Sequence, residues 1–463
     1  MAASAKEDAT PTDATGTGAR RVPVLRRELE RVDGHPPDPA APLAKHRKMA
    51  LNPFRFLRGA AQLYYADMKA GRIAIPPLFA SPAHRTLVMG DCHLSNFGFM
   101  TEEGSHSRRV IFAPNDFDDA CAGPAAWDLV RFIASLFLAA GYGRGILEGR
   151  FRPDEATDTA GLAAPDDGDA EAAAADFLDA YRQTCQAVVA DPERRQEALQ
   201  KFGKGHCLRK PYKKARRRAA GGRDFARKSA LGKAVESTAE GLRFRDRPGR
   251  YRRLDAATRA QVRAAFRPYV DDEVLDVVAR LDAGTGSVGM HRYYLLVGPE
   301  DFAGPEDLPL CHVVEVKQQR PAAPLLHFPD LDPVNSMNPA HLTVDCQRRM
   351  QRRPDLVLDE VVWQDRHWLV RSRHHARVSL DPEDLCLLPS DQDLSAPLRH
   401  YAAACGQALA LAHARGDRRS TRFEAAMARA LKAQGAALIA AGRAQARQSE
   451  ADCALLRDLL GGT

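Results

Sequence analysis

Two short stretches of this 463-residue chain gather oxygen ligands and tight-turn residues in a pattern that suits phosphate and metal chemistry. The first is Gly90-Asp91-Cys92-His93-Leu94-Ser95-Asn96. The second is Asn115-Asp116-Phe117-Asp118-Asp119, followed by Gly123-Pro124 and Trp127-Asp128. A carboxylate with an amide side chain five residues later can aim two oxygens at one point. Mg²⁺ prefers such hard ligands and is usually held by one or two carboxylates together with substrate phosphates. Asp116 is the obvious partner for the Asp91 and Asn96 pair. Asp, Asn and Gly are also the commonest turn formers, so either motif alone would be accounted for by turn geometry. Asp118 and Asp119 either support the metal shell or are solvated loop carboxylates.

Carboxylates can converge only if rigid elements deliver them. RTLVMGD (85–91) is a short apolar run ending in Gly-Asp, which reads as a buried strand feeding a loop, and RRVIFAPND (108–116) repeats that design. AAWDLVRFIASLFLAA (125–140) reads as a mostly buried helix. The spacing predicts a further helix or helical turn over 270–284. SVGMHRYYLLVG, LCHVVEVKQQ and LVLDEVVWQDRHWLVRSRHH are rich in Val, Tyr, Trp and Leu, as strands are, with a hairpin turn at 364–366. From about 395 the chain returns to Ala- and Leu-rich helix. The organisation predicted is a disordered tail over 1–40, a helical lobe with both site loops over 41–280, a β-rich lobe over 281–390, and C-terminal helices over 391–463. The fold class is α+β.

Bulk properties set outer limits. Hydrophobic content of 44% and charged content of 27% are ordinary for a globular protein, and a net charge of +7 does not mark a nucleic-acid binder. Nine cysteines lie scattered with no C-x-x-C pair, which suits a reducing compartment and predicts a cytoplasmic protein. The first 22 residues have no apolar run of the signal-peptide kind. The most apolar stretch, Leu129–Ala140, falls short of the about 20 residues a bilayer span needs, so no membrane partner is expected.

GDCHLSN resembles the catalytic loop of aminoglycoside-phosphotransferase-like and choline-kinase-like enzymes, G-D-x-H-x-x-N, and has the Asp-to-Asn separation of protein kinases. NDFDDACAGPAAWDL resembles the segment that follows in those enzymes. The resemblance implies a protein-kinase-like bilobal fold with ATP and Mg²⁺ as cofactors. It makes Asp91 the catalytic carboxylate near the acceptor hydroxyl, and Asn96 and Asp116 the Mg²⁺ ligands, with Asp118 a further candidate. His93 would organise the loop and Asp128 would brace it from within.

Such a site also needs a nucleotide clamp, and here the matching pieces come late. Gly284-Thr285-Gly286-Ser287-Val288-Gly289 fits G-x-G-x-x-G ahead of a strand, with Gly284, Gly286, Ser287 and Gly289 as the cofactor-binding candidates. Lys317 sits in an apolar strand, where a lysine is costly without an anionic partner; it suits the lysine that pairs with the α- and β-phosphates. The helix after it, HLTVDCQRRMQ, offers Asp345 as the acidic partner where kinases use Glu. Read this way, the kinase-like elements are circularly permuted. The whole order, from NPFRFLRGAA through GDCHLSNFG and NDFDD to GSVG and VKQ, resembles the bacterial family of the domain of unknown function 2252, over roughly residues 45–420. Arg55 and Arg58 fall in its opening motif and either reach a substrate or cap helical packing.

The implied activity is an ATP- and Mg²⁺-dependent phosphotransferase acting on a hydroxyl of a small molecule or protein. Nucleotidyl (AMP) transfer on the same fold is an alternative, as is a nucleotide-binding pseudoenzyme. A further alternative rests on 201–228, which holds 12 Lys and Arg against one Asp, with Phe202, Tyr212 and Phe225 interleaved. Such a run could bind nucleic acid, or simply lie solvated and steer anions.

Overall fold

The computed structural model describes residues 14–239, 241–281 and 290–462, and its architecture is mixed α+β. The chain opens with helix α1 (Ala14–Asp33), followed by α2 (Pro53–Gly59) and α3 (Ala61–Lys69). Residues 1–40 were expected to be a disordered tail, yet α1 is docked. Its Leu25 and Leu29 are buried with Cys453 and Leu456, and Arg21 bridges Asp67 and Asp452 at 2.6 Å each. Apolar residues four apart give the helix one face to bury, which a short Ala/Thr-rich start conceals.

Four short strands then hold the site loops. β1 (Arg85–Val88) pairs antiparallel with β4 (Cys121–Pro124), and between them lies the hairpin of β2 (Phe97–Thr101) and β3 (Val110–Pro114). All four are almost wholly buried. They are followed by α4 (Ala126–Leu147), α5 (Asp167–Ala190) and the basic α6 (Arg209–Arg218). α4 is buried around nearly its whole circumference. Among the described residues it alone has the length and composition to cross a membrane, and 89% of that window is buried inside the protein, which makes it a core helix.

A six-stranded antiparallel sheet forms the second region. Its members are β5 (Tyr251–Arg253), β6 (Glu273–Arg280), β7 (Arg292–Gly298), β8 (His312–Gln318), β9 (Leu358–Trp363) and β10 (Arg366–Ser372), in the order β9-β10-β8-β7-β6-β5. Helix α7 (Ala256–Phe266) covers one face, with Phe266 against Trp363 and Trp368, and α8 (Pro339–Met350) packs on β9 and β10. The 270–284 stretch was expected to be helical, and here Glu273–Arg280 within it is strand β6. Val274, Val277 and Val278 are β-branched, and strands on both sides satisfy its backbone, so tertiary pairing overrides the helical spacing. The sheet therefore begins at Tyr251, well before the boundary predicted at 281. The turn at 364–366 is as expected: Gln364 and Asp365 both have φ near +50°, and Trp363 pairs with Arg366 across them.

The chain ends in α9 (Ala396–Asp417) and α10 (Arg422–Leu459), which return to the first region. α9 lies along α5 and α10 along α4, closing a large core with the β1–β4 strands. The approach of α9 to α5 is close enough that a Cβ at Gly406 would meet the Phe177 carbonyl oxygen at 2.2 Å.

Candidate active-site cleft

The loop after β1 is fixed from behind. Gly90 has φ +74°, and a Cβ there would lie 1.8 Å from the Asp119 carbonyl oxygen, so only glycine lets the two site loops touch. Asp128, in the first turn of α4 and 0% exposed, accepts from the Met89 N–H at 2.7 Å and the Gly90 N–H at 3.1 Å. His413 of α9 donates to the same carboxylate through Nε2 at 3.0 Å, while its Nδ1 takes the Tyr181 hydroxyl at 2.8 Å. The Tyr65 hydroxyl donates to the Gly90 carbonyl at 2.7 Å. Every polar group in this brace has a partner.

Asp91 emerges from that brace into the cleft. Arg131, one turn further along α4 and fully buried, donates from Nε to Asp91 Oδ1 at 2.8 Å and from Nη2 to the Leu57 carbonyl at 2.6 Å. One carboxylate oxygen is thus held, and the other stands 3.7 Å from His93 Nε2. Burial, then the neighbouring Arg58 and Arg131, hold the His93 imidazole well below its usual range, so it borders Asp91 as a neutral ring. Asn96 donates from Nδ2 to the Asp91 carbonyl at 2.9 Å, and its own carbonyl accepts the Asn115 N–H at 3.0 Å, which ties the two loops together.

Phe117, 1% exposed, anchors the second loop in the core and turns the flanking carboxylates outward. Asp116 lines the cleft beside Asp118, whose N–H it accepts at 3.3 Å. Burial and then the Asp118 charge push Asp116 up to about 6, against the pull of Lys317 and Arg371. Asp118 goes the other way: burial would raise it, but Lys317 and Arg371 hold it well below the carboxylate range. Asp119 accepts from Arg320 at 3.1 Å and from the Ala323 N–H at 2.7 Å, so it is a loop tie.

The opposite wall is the sheet. Glu315 and Lys317 project from β8 into the cleft, Arg292 lies across from Lys317 on β7, and Arg371 across from Glu315 on β10. Glu315 is 4% exposed and bonds Arg292 at 3.1 Å and Arg371 at 2.9 Å. Despite burial, those two arginines keep it well below the usual range. Lys317 is 3% exposed, and its ammonium pairs with Asp118. This corrects the expected partner. Asp345 bonds Arg349, one turn along α8, at 3.3 Å, and does not line the cleft. The shorter Asp on α8 is served within its own helix, and the Asp118 loop meets the lysine first. Gly284, Gly286, Ser287 and Gly289 lie outside the described residues.

One cleft of about 350 Å³ therefore gathers Asp91, His93, Asn96, Asp116, Asp118 and Lys317. Seven arginines and Lys317 line it against six carboxylates, so it carries surplus positive charge. Arg58 and Arg377 line it without a hydrogen-bond or ion-pair partner among the described residues. Arg55 instead pairs with Asp154 outside the cleft. Arg131, Glu315 and Arg371 are the site residues that sequence reasoning missed. Each had one signal: an ionisable group inside an apolar helix or strand, which requires a buried counter-charge. In the basic segment, Phe202 and Tyr212 are half-buried against Phe99 and Phe225 is buried, so all three rings are engaged in packing.

No curated protein and no solved structure matches the chain. A family model does, over residues 38–148 and 159–459, and its match includes both carboxylate loops, Lys317 and the α9 brace. The chain belongs to the bacterial family described as uncharacterized protein conserved in bacteria (DUF2252).

Proposed function

We propose that the chain is an ATP- and Mg²⁺-dependent phosphotransferase with a kinase-like architecture in circularly permuted order, acting on a hydroxyl of a small molecule or protein. The observation that carries this reading is the meeting of Lys317 with Asp118 across the cleft, which unites segments about 200 residues apart around Asp91. An antiparallel sheet facing a helical region across that cleft supports the architectural part.

The side chains fit the groups such chemistry needs. Asn96 spends its amide nitrogen on the Asp91 carbonyl, which leaves Oδ1 as a hard ligand. Asp116 is held against its own charge beside Asp118, an environment that a divalent cation relieves. Mg²⁺ held by Asn96 and Asp116 would supply charge neutralisation across the β- and γ-phosphates. Lys317, released from Asp118, would take the α/β-phosphates, and Arg58 and Arg377 add positive charge for anionic groups. Asp91 presents its free oxygen to the acceptor hydroxyl and takes its proton as the new O–P bond forms. The β–γ bridge bond breaks in the same displacement, and ADP leaves. Catalysis is then positioning plus charge neutralisation, since phosphoryl transfer asks little covalent chemistry of the protein.

A thermal-shift titration with ATP, with and without Mg²⁺, on wild type, Asp116→Ala and Lys317→Ala tests this. A ligand at about 100 times its Kd adds roughly 2.7 kcal/mol of stability if it binds only the folded state. The expected result is Mg²⁺-dependent stabilisation that both variants weaken. No response to any nucleotide from folded protein would sink the reading. Once binding is seen, product mass separates gain of a phosphate from gain of AMP.

A further inference from the structure

Outside the cleft, three ligand-type side chains from distant segments converge at the rim where the β2–β3 hairpin meets the sheet. His106 lies in the turn between β2 and β3, Asp271 in the turn before β6, and His312 at the start of β8. Their ligand atoms all lie within 4.8 Å of one another. His106 Nε2 meets Asp271 Oδ2, and His312 Nε2 stands 3.0 Å from Asp271 Oδ1. A tetrahedral ion with bonds of about 2.0–2.1 Å separates its ligand atoms by about 3.3–3.4 Å, so small side-chain shifts admit one.

Two details favour a ligand over a plain charge cluster. His312 is 4% exposed, and its Nε2 is out of alignment with Asp271, which leaves that buried nitrogen without a hydrogen-bond partner among the described residues. It points into the cluster, where a buried nitrogen whose close neighbour is a misaligned carboxylate is better satisfied by an ion that takes its lone pair. His106 Nδ1 is 3.3 Å from the Glu103 carbonyl, the outer hydrogen bond that fixes a ring so that Nε2 is free to ligate. His374 and His375 are not part of the cluster: His374 Nε2 lies 3.2 Å from Asp355, and His375 is buried edge-on against Phe225.

We propose that His106, Asp271 and His312 form a binding site for zinc or another borderline first-row divalent ion, with solvent in the remaining position. Two imidazoles and one carboxylate suit such ions, whereas Mg²⁺ prefers oxygen ligands alone. Because His106 belongs to the hairpin and the other two to the sheet, the ion ties together the two walls of the cleft. The site is chemically distinct from the Asp91 and Asp116 loops and stands whether or not the chain transfers phosphate.

The test is calorimetric titration of Zn²⁺ into full-length protein stripped with EDTA, in excess Mg²⁺, followed by Co²⁺ substitution. Wild type should bind one equivalent that Mg²⁺ does not displace. His106→Ala, a change in a partly exposed turn, should weaken binding about 100-fold or more, and Asp271→Asn should do likewise. Asp116→Ala should leave it unchanged, which separates this site from the cleft. The Co²⁺ form should show visible d–d absorption without a thiolate charge-transfer band. Absence of the equivalent, or binding indifferent to His106→Ala, would overturn the proposal. A thiolate band would overturn it too, by moving the ion to Cys311, next to His312 in the chain.

Discussion

The two walls of the cleft are built on different physical principles. On the helical side, Asp128 fixes the backbone just before Asp91, Asn96 ties the loop through the Asp91 carbonyl, and the buried Arg131 holds the Asp91 carboxylate, all backed by a core of α4, α5, α9 and α10. On the sheet side, the site is a ladder of charges, Arg292–Glu315–Arg371, with Lys317 reaching across to Asp118. The first arrangement is directional and little affected by salt. The second rests on charge balance and responds to any ion that enters. In the phosphotransfer proposed above, the braced Asp91 would keep its place while Lys317 leaves Asp118 for the phosphates.

The most severe way to break that contrast is Asp128→Ala. It leaves two buried N–H groups and His413 without their acceptor, and loss of one partner from a buried, bonded charge costs about 3–5 kcal/mol. Urea denaturation should register that loss. Hydrogen exchange should locate it in the Met89–Asn96 loop and α9, with the sheet still protected. Equal loss in the sheet would mean that the two walls are one cooperative unit.

How far the sequence revealed each wall follows the same division. Part of the helical side was readable because its chemistry is local, a strand ending in Gly-Asp and an amide five residues on, whereas the bracing role of Asp128 came only with the resemblance. Lys317 was readable as a costly lysine in an apolar strand. Its partner was not, because ion pairing between Asp118 and β8 is a tertiary event that no spacing along the chain encodes, and α8 offered a plausible but wrong carboxylate in Asp345. Arg131 was hidden inside an apolar helix, where no spacing along the chain marks it as the group that orients Asp91. β6 was misread because a valine-rich stretch with apolar residues at 3-to-4 spacing fits either element until its neighbours are known.

pH gives a gentler test, since the two walls hold carboxylates displaced in opposite directions. Glu315 is depressed, so its stabilisation is present above the unfolded value of about 4.3 and is lost as pH falls below it. Asp116 is raised to about 6 by burial and Asp118, with Lys317 and Arg371 opposing. Its contribution is present below the unfolded value of about 3.9 and lost as pH rises through 6. In EDTA, Glu315→Gln should cost about 2 kcal/mol at pH 7 and steadily less below pH 4. Asp116→Asn should instead raise stability at pH 7 by about 1 kcal/mol, allowing for solvent screening, and the gain should vanish toward pH 4. Urea midpoints at pH 4, 5.5 and 7 would decide. Matching slopes in both variants would contradict the assignment of opposed charge environments.

The smallest effect comes from the sheet's own edge, away from the cleft. Gln364 and Asp365 both occupy the left-handed region at φ 52° and 53° in the turn joining β9 to β10. That geometry suits Asn-Gly better, because Asn tolerates and Gly freely adopts positive φ. Replacing Gln364 by Asn and Asp365 by Gly should stabilise the hairpin by about 0.5–1 kcal/mol. Both residues are exposed and neither lines the cleft, so the nucleotide binding proposed for the cleft should not change. Hydrogen exchange should slow in β9 and β10 and stay as it was in α4 and α9. If protection instead rose across the α4–α9 core, backbone order in the sheet would be coupled to the helical side. The hydrogen-bonded scaffold would then owe part of its rigidity to the wall it faces.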